Sequence, residues 1–149
     1  MSEDGGRDEL NLGLLCFIAY RAMEARVLAA LAAAGLDDLT SAQGRVFARI
    51  SPDGTRVTDL AEQARITKQT AGFLVDQLER AGYVRRVPDP DDARARLVQI
   101  AERGQAAVAV ARATEAGVEA EWTRHLGRTS ASQLRRALTR LREITDPYQ

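Results

Sequence analysis

The sequence predicts a mainly α fold with one small β-hairpin: a winged helix-turn-helix carrying long helices at both ends. Three observations predict it. Apolar residues recur at i/i+4 spacing through residues 10–34 and again after Gly104, so long amphipathic helices open and close the chain. Two shorter helical patterns in the middle are separated only by Arg65-Ile66-Thr67. After Gly82 the apolar period falls from that of a helix to that of a strand.

The first helix carries the stripes Leu14, Ile18, Ala22 and Leu15, Ala19, Met23, and Gly35 closes it. Thr40-Ser41-Ala42-Gln43 has capping-box spacing, and Val46, Phe47 and Ile50 follow on one face until Ser51-Pro52-Asp53-Gly54 supplies a turn. A third helix, capped by Thr58, presents Leu60, Ala61 and Ala64. A fourth, capped by Thr67, has the core stripe Ala71, Leu74, Val75, Leu78 and Ala81, with Gly82 suited to a left-handed C′ position. Tyr83 to Val87 and Arg96 to Ile100 read as strands joined by Pro88-Asp89-Pro90-Asp91-Asp92. Helix resumes after Gly104 with Val108, Ala111, Val118 and Trp122. A last helix, capped by Ser130 with Gln133 three residues on, carries Leu134, Leu138, Leu141 and Ile144. The expected organisation is residues 1–36 as an N-terminal dimerisation helix, 37–104 as the winged module and 105–149 as C-terminal dimerisation helices. The end helices offer more apolar surface than the module can bury, and a second copy of the same helices is the simplest cover.

Composition narrows the function classes. The 149 residues hold 21 basic and 21 acidic side chains, so the net charge is zero and bulk, non-specific nucleic-acid binding by an all-over positive surface is not expected. One cysteine, Cys16, excludes an intrachain disulfide or a multi-cysteine zinc site and fits a reducing cytosol. The uncharged run Leu12 to Tyr20 is too short to cross a bilayer, and the acidic leader Ser2 to Glu9 has the wrong sign for a secretory signal. A cytoplasmic protein without membrane contact is expected. His125 stands alone, and no nucleophile, base or phosphate loop occurs at a mechanistic spacing, so no enzyme, metal or cofactor is expected. A winged helix-turn-helix lays its second helix in a DNA major groove with the hairpin over the neighbouring minor groove, which makes double-stranded DNA the expected partner.

Ile66-Thr67-Lys68-Gln69-Thr70-Ala71-Gly72-Phe73-Leu74-Val75-Asp76-Gln77-Leu78-Glu79-Arg80-Ala81-Gly82-Tyr83-Val84, followed by Arg86, Asp89-Pro90-Asp91-Asp92-Ala93-Arg94 and Glu102-Arg103-Gly104, resembles the MarR family of bacterial transcription regulators. The resemblance implies a homodimer that binds a pseudo-palindromic operator and represses nearby genes until a small ligand or an oxidant releases it. It also implies that Lys68, Gln69, Thr70, Gly72 and Phe73 face the major groove. Gln69 suits adenine, and Lys68 or Thr70 suits base or phosphate. Phe73 departs from the family's usual polar residue and either meets a thymine methyl or packs sideways on the wing. In the wing, Arg94 is expected in the minor groove with Asp92 tethering its guanidinium, and Arg85, Arg86 and Arg96 are expected to be available for phosphates. Asp89 and Asp91 are expected to form the turn. Ala101 replaces the family's usual Thr, which predicts a weak cap on the fifth helix.

Leu15-Cys16-Phe17-Ile18-Ala19-Tyr20 is similar to the start of OhrR, the organic-hydroperoxide-sensing branch. Tyr20 fits one of its thiol-binding tyrosines, but Ala30 and Ser41 stand where the other two belong. Asp8 and Glu9 would disfavour a thiolate, so Cys16 is expected to be a small buried hydrophobe. The resemblance also implies an effector cleft between the dimerisation helices and the module, with Tyr20, Arg45 and Trp122 as candidate lining. A winged-helix protein-interaction module that does not read DNA is the alternative, suggested by Gly72, Phe73 and the neutral charge.

Overall fold

The computed structural model describes residues 9–148, so leader residues 2–8, Asp8 included, lie outside the described residues. The elements in order are α1 (Leu12–Ala33), α2 (Ser41–Phe47), α3 (Val57–Ala64), α4 (Lys68–Arg80), β1 (Val84–Asp89), β2 (Asp92–Ile100), α5 (Glu102–Leu126) and α6 (Arg128–Thr145).

Local chemistry explains most of the boundaries. The Asn11 side chain accepts from the Leu14 amide at 2.8 Å and starts α1. Thr40 and Gln43 form the full capping box of α2. Thr67 accepts from the Thr70 amide at 3.1 Å and starts α4, and Gly82, at φ +84°, ends it. Two expected caps do not form. Thr55 exchanges two backbone hydrogen bonds with Val98, at 3.0 and 2.9 Å, so the chain leaves the sheet directly into α3 with Arg56 at the cap position and Thr58 inside the first turn. At α6 the reversal at Gly127, φ +85°, starts the helix before Ser130 is reached. Helix α5 begins at Glu102, earlier than expected, and its Ala101 cap makes no side-chain bond. Gly104 therefore lies in the first turn, where a Cβ would stand 2.2 Å from the Tyr83 carbonyl oxygen.

The hairpin is longer than its period suggested. Pairing runs from Val84↔Ile100 to Pro88↔Arg96, a bulge between Pro88 and Asp89 shifts the register, and Pro90-Asp91 alone makes the turn. Proline is tolerated there because the bulge removes the need for its missing amide. The core lies between α2, α3, α4, the base of the hairpin and the C-terminal half of α1. Val46, Leu60, Val75, Leu78, Tyr83 and Val98 are fully buried in it. By contrast, residues 12–20 of α1 are all exposed and α6 buries no residue. The far end of α6 returns to the module: Asp146 pairs with Arg49 at 3.0 Å, Arg65 donates to the Thr145 carbonyl at 3.1 Å, and the Tyr148 hydroxyl bonds Glu62. No described helix is long and apolar enough to cross a membrane.

Candidate nucleic-acid interface

The turn between α3 and α4 is held by Arg65 in the left-handed region, φ 59°, a conformation that costs a non-glycine residue about 1 kcal/mol. The Ile66 amide donates back to the Ala61 carbonyl at 3.0 Å, and Ile66 packs on the core. This turn aims α4. Its buried stripe, Ala71, Leu74, Val75 and Leu78, faces inward, so Lys68, Gln69, Thr70 and Phe73 emerge together on the outer face. Phe73 is 59% exposed. A Cβ at Gly72 would meet nothing within 4 Å, so the centre of this face is open.

The wing redistributes the charges expected of it. Arg86 is not free for phosphate: its guanidinium pairs with Asp76 at 2.7 Å and Glu79 at 2.9 Å, fastening β1 to α4. Arg85, Arg94 and Arg96 are exposed and form no ion pair among the described residues. Asp92 does not tether the Arg94 guanidinium; its Oδ1 accepts from the Arg94 backbone amide at 3.0 Å. With only Ala93 between carboxyl and amide, the local turn is a shorter reach than the long side chain. Asp89 does form the turn, its Oδ1 accepting from the Asp91 amide at 2.9 Å. It is also nearly buried and receives Arg56, whose Nε lies 2.9 Å and terminal nitrogen 2.6 Å from Oδ2. The Asp91 amide and then Arg56 hold the Asp89 carboxyl below the usual carboxylate range. Arg56 went unremarked in the sequence because its partner is 33 residues away.

Tyr83 joins the interface to α5. Its buried hydroxyl donates to Asp38, Arg103 donates to Asp38 at 2.8 Å and to the Ala81 carbonyl at 2.7 Å, and the Arg103 guanidinium lies 4.4 Å from the Tyr83 ring centre. The C-terminus of α4 is thus fixed against the start of α5.

A cavity of about 550 Å³ lies between α1, α2 and α5, with an apolar wall including Val27, Leu28, Phe47, Ile100 and Val108. Tyr20 and Glu24 stand on it. Arg45, a candidate for its lining, instead clasps Glu24 through Nε at 3.0 Å and a terminal nitrogen at 3.2 Å. Burial, and then Glu24, raises the Tyr20 hydroxyl above its ordinary value. Trp122 is half-buried on α5 and Cys16 is exposed on α1, and neither lines the cavity. Within a single chain Cys16 is not buried, because the face of α1 that carries it is uncovered there. No group of three or more His, Cys, Asp or Glu side chains among the described residues could hold a metal ion.

Comparison with known proteins matches residues 37–95 to the model of the MarR family. The chain is 34% identical over 73 residues to the transcriptional activatory protein BadR of Rhodopseudomonas palustris, an alignment covering 46% of this chain and 42% of that protein, so it spans less than half of BadR's length. Likeness to solved structures runs through about nine-tenths of the chain. The transcriptional regulator PA4135 is 28% identical with a TM-score of 0.71, covering 91% of this chain and 98% of that one. The MarR family protein RV2887 of Mycobacterium tuberculosis, solved in complex with salicylic acid, is 26% identical with a TM-score of 0.64, covering 90% and 98%.

Proposed function

We propose that the chain, whose residues 37–95 match the MarR family model and whose fold follows that of PA4135, is a MarR-family member: a cytoplasmic, sequence-specific DNA-binding regulator, a homodimeric repressor released by a small ligand or an oxidant. The observation that carries this reading is the single outward face formed by Lys68, Gln69, Thr70 and Phe73, with the unpaired Arg94 and Arg96 of the wing beyond it. Arg and Gln are side chains that read or follow DNA, and the low net charge leaves affinity to this one surface. Selection of bound sequences from random duplex DNA tests the proposal: a recurring pseudo-palindrome supports it. Recovery of no sequence leaves the protein-interaction module in its place. A reporter behind the recovered site reads the direction of control, since repression lowers expression when the protein is present.

The dimer assigns residues 1–36 and 105–149 to the interface and 37–104 to DNA. It is supported by the exposed Leu14, Leu15, Phe17 and Ile18 of α1 and Leu134, Leu138 and Leu141 of α6. The cavity bounded by Tyr20 and Glu24 is the proposed effector site. An occupant there would touch α1 and α5 on one side and α2 on the other, and so bias the module's position against the dimerisation helices.

A further inference from the structure

We infer that Arg56 is a positioning residue for the wing: fixed at the start of α3, it holds Asp89, and through that carboxylate the turn that presents Arg94. The inference rests on the DNA-binding reading above. The backbone at Arg56 is anchored on both sides, since Thr55 is paired with Val98 and the Leu60 amide donates to the Arg56 carbonyl at 3.0 Å. Two guanidinium nitrogens converge on Asp89 Oδ2, and Oδ1 is taken by the Asp91 amide. The Asp89 side chain is only 6% exposed beneath Arg56, so without that cation Oδ2 would lose both of its donors and the carboxylate would keep only the Asp91 amide to hold the turn. The Arg56 terminal nitrogen is also 4.0 Å from Asp92 Oδ2, and Asp92 Oδ1 holds the Arg94 amide. A continuous set of polar contacts therefore runs from the helix-turn-helix to the backbone of the wing arginine. This lowers the entropy lost when the wing settles in a minor groove.

Arg56 is 41% exposed at its side chain, so a plain phosphate contact is the competing account. The two differ in what they require. A phosphate contact needs only a positive charge, whereas positioning needs a fork and an intact Asp89. Lysine keeps the charge without the fork. Asparagine at position 89 has one acceptor oxygen and can satisfy the Asp91 amide or Arg56, not both.

The test compares the parent, Arg56→Lys, Asp89→Asn and the double variant. In the free protein, amide hydrogen exchange at Asp91 and Arg94 should quicken by about tenfold in each single variant, while the Thr55 and Val98 amides keep the parent rate. On the duplex recovered by selection, each single variant should bind about tenfold more weakly, Asp89→Asn included although it removes a negative charge, and the double variant should be no worse than either. The preference for that duplex over one whose wing-facing A·T steps are changed to G·C should narrow in all three, which a general loss of stability would not cause. Unchanged exchange in both single variants overturns the inference, as does parental binding by Arg56→Lys with tighter binding by Asp89→Asn. If the parent selects no duplex, the DNA-binding reading fails, and the exchange rates still decide whether Arg56 orders the wing.

Discussion

Arg94 and Asp92 sit two residues apart with opposite charges, yet they act on different parts of the chain. Arg94→Ala removes an exposed cation, so binding should weaken and the slope of log affinity against log salt should flatten by about one unit per lost contact in each subunit, read by titration at several salt concentrations. Asp92→Ala removes an acceptor from the Arg94 amide, so it should weaken binding although it leaves the surface more positive. Tighter binding would return Asp92 to the role of a solubilising charge. Tyr83 gives a second residue-scale prediction. Burial, and then the bond to Asp38, pushes its hydroxyl up to about 12. The folded state thus favours the neutral phenol, and the stability it contributes is complete below the ordinary tyrosine value of about 10 and lost as pH rises through about 12. In urea unfolding, Tyr83→Phe should be less stable than the parent at neutral pH by about 1 kcal/mol and should decline less steeply between those two pH values.

At the scale of elements, two glycines in helices should respond to alanine in opposite ways. Gly104→Ala sets a methyl group 2.2 Å from the Tyr83 carbonyl oxygen and 2.7 Å from Ile100, so α5 must move off the hairpin, at a cost of about 3 kcal/mol. Gly72→Ala meets nothing within 4 Å and should stabilise α4 by up to about 1 kcal/mol. Chemical denaturation of both variants checks the pair. The same contrast between local and distant causes explains what the sequence disclosed. The Thr40 and Thr67 caps, the Gly82 stop and the α4 stripe depend on neighbours within four residues, and all were legible. Thr58 and Ser130 have the chemistry of caps but lost the position to a strand bridge at Thr55 and a reversal at Gly127. Arg56 and Arg86 were misjudged or missed for one reason: their charges are spent on Asp89, Asp76 and Glu79, which only the folded chain brings alongside.

For the molecule as a whole, the exposed leucines of α6 make the oligomeric state the decisive property. Light scattering at micromolar concentration should give a dimer, with recognition helices about 34 Å apart, one turn of B-DNA. Leu138→Glu, aimed at a residue 42% exposed in the single chain, should give monomers that keep their helical content and lose operator binding; a monomeric parent would refute the arrangement. Helix α6 also has an unusual mounting. Its start is set by the Gly127 reversal, Arg135 midway along it pairs with Glu119 at 2.6 Å, its far end meets the module through Asp146 on Arg49 and Tyr148 on Glu62, and no α6 side chain is buried. It behaves as a beam resting on two supports with its span open. A load placed on that span is carried at one support into α5 and at the other into Arg49, just past α2, and Glu62 of α3, the helix that leads into the turn aiming α4. In the proposed dimer, a shift in the partner's grip would therefore tilt α4 about that far mooring instead of merely loosening the two halves.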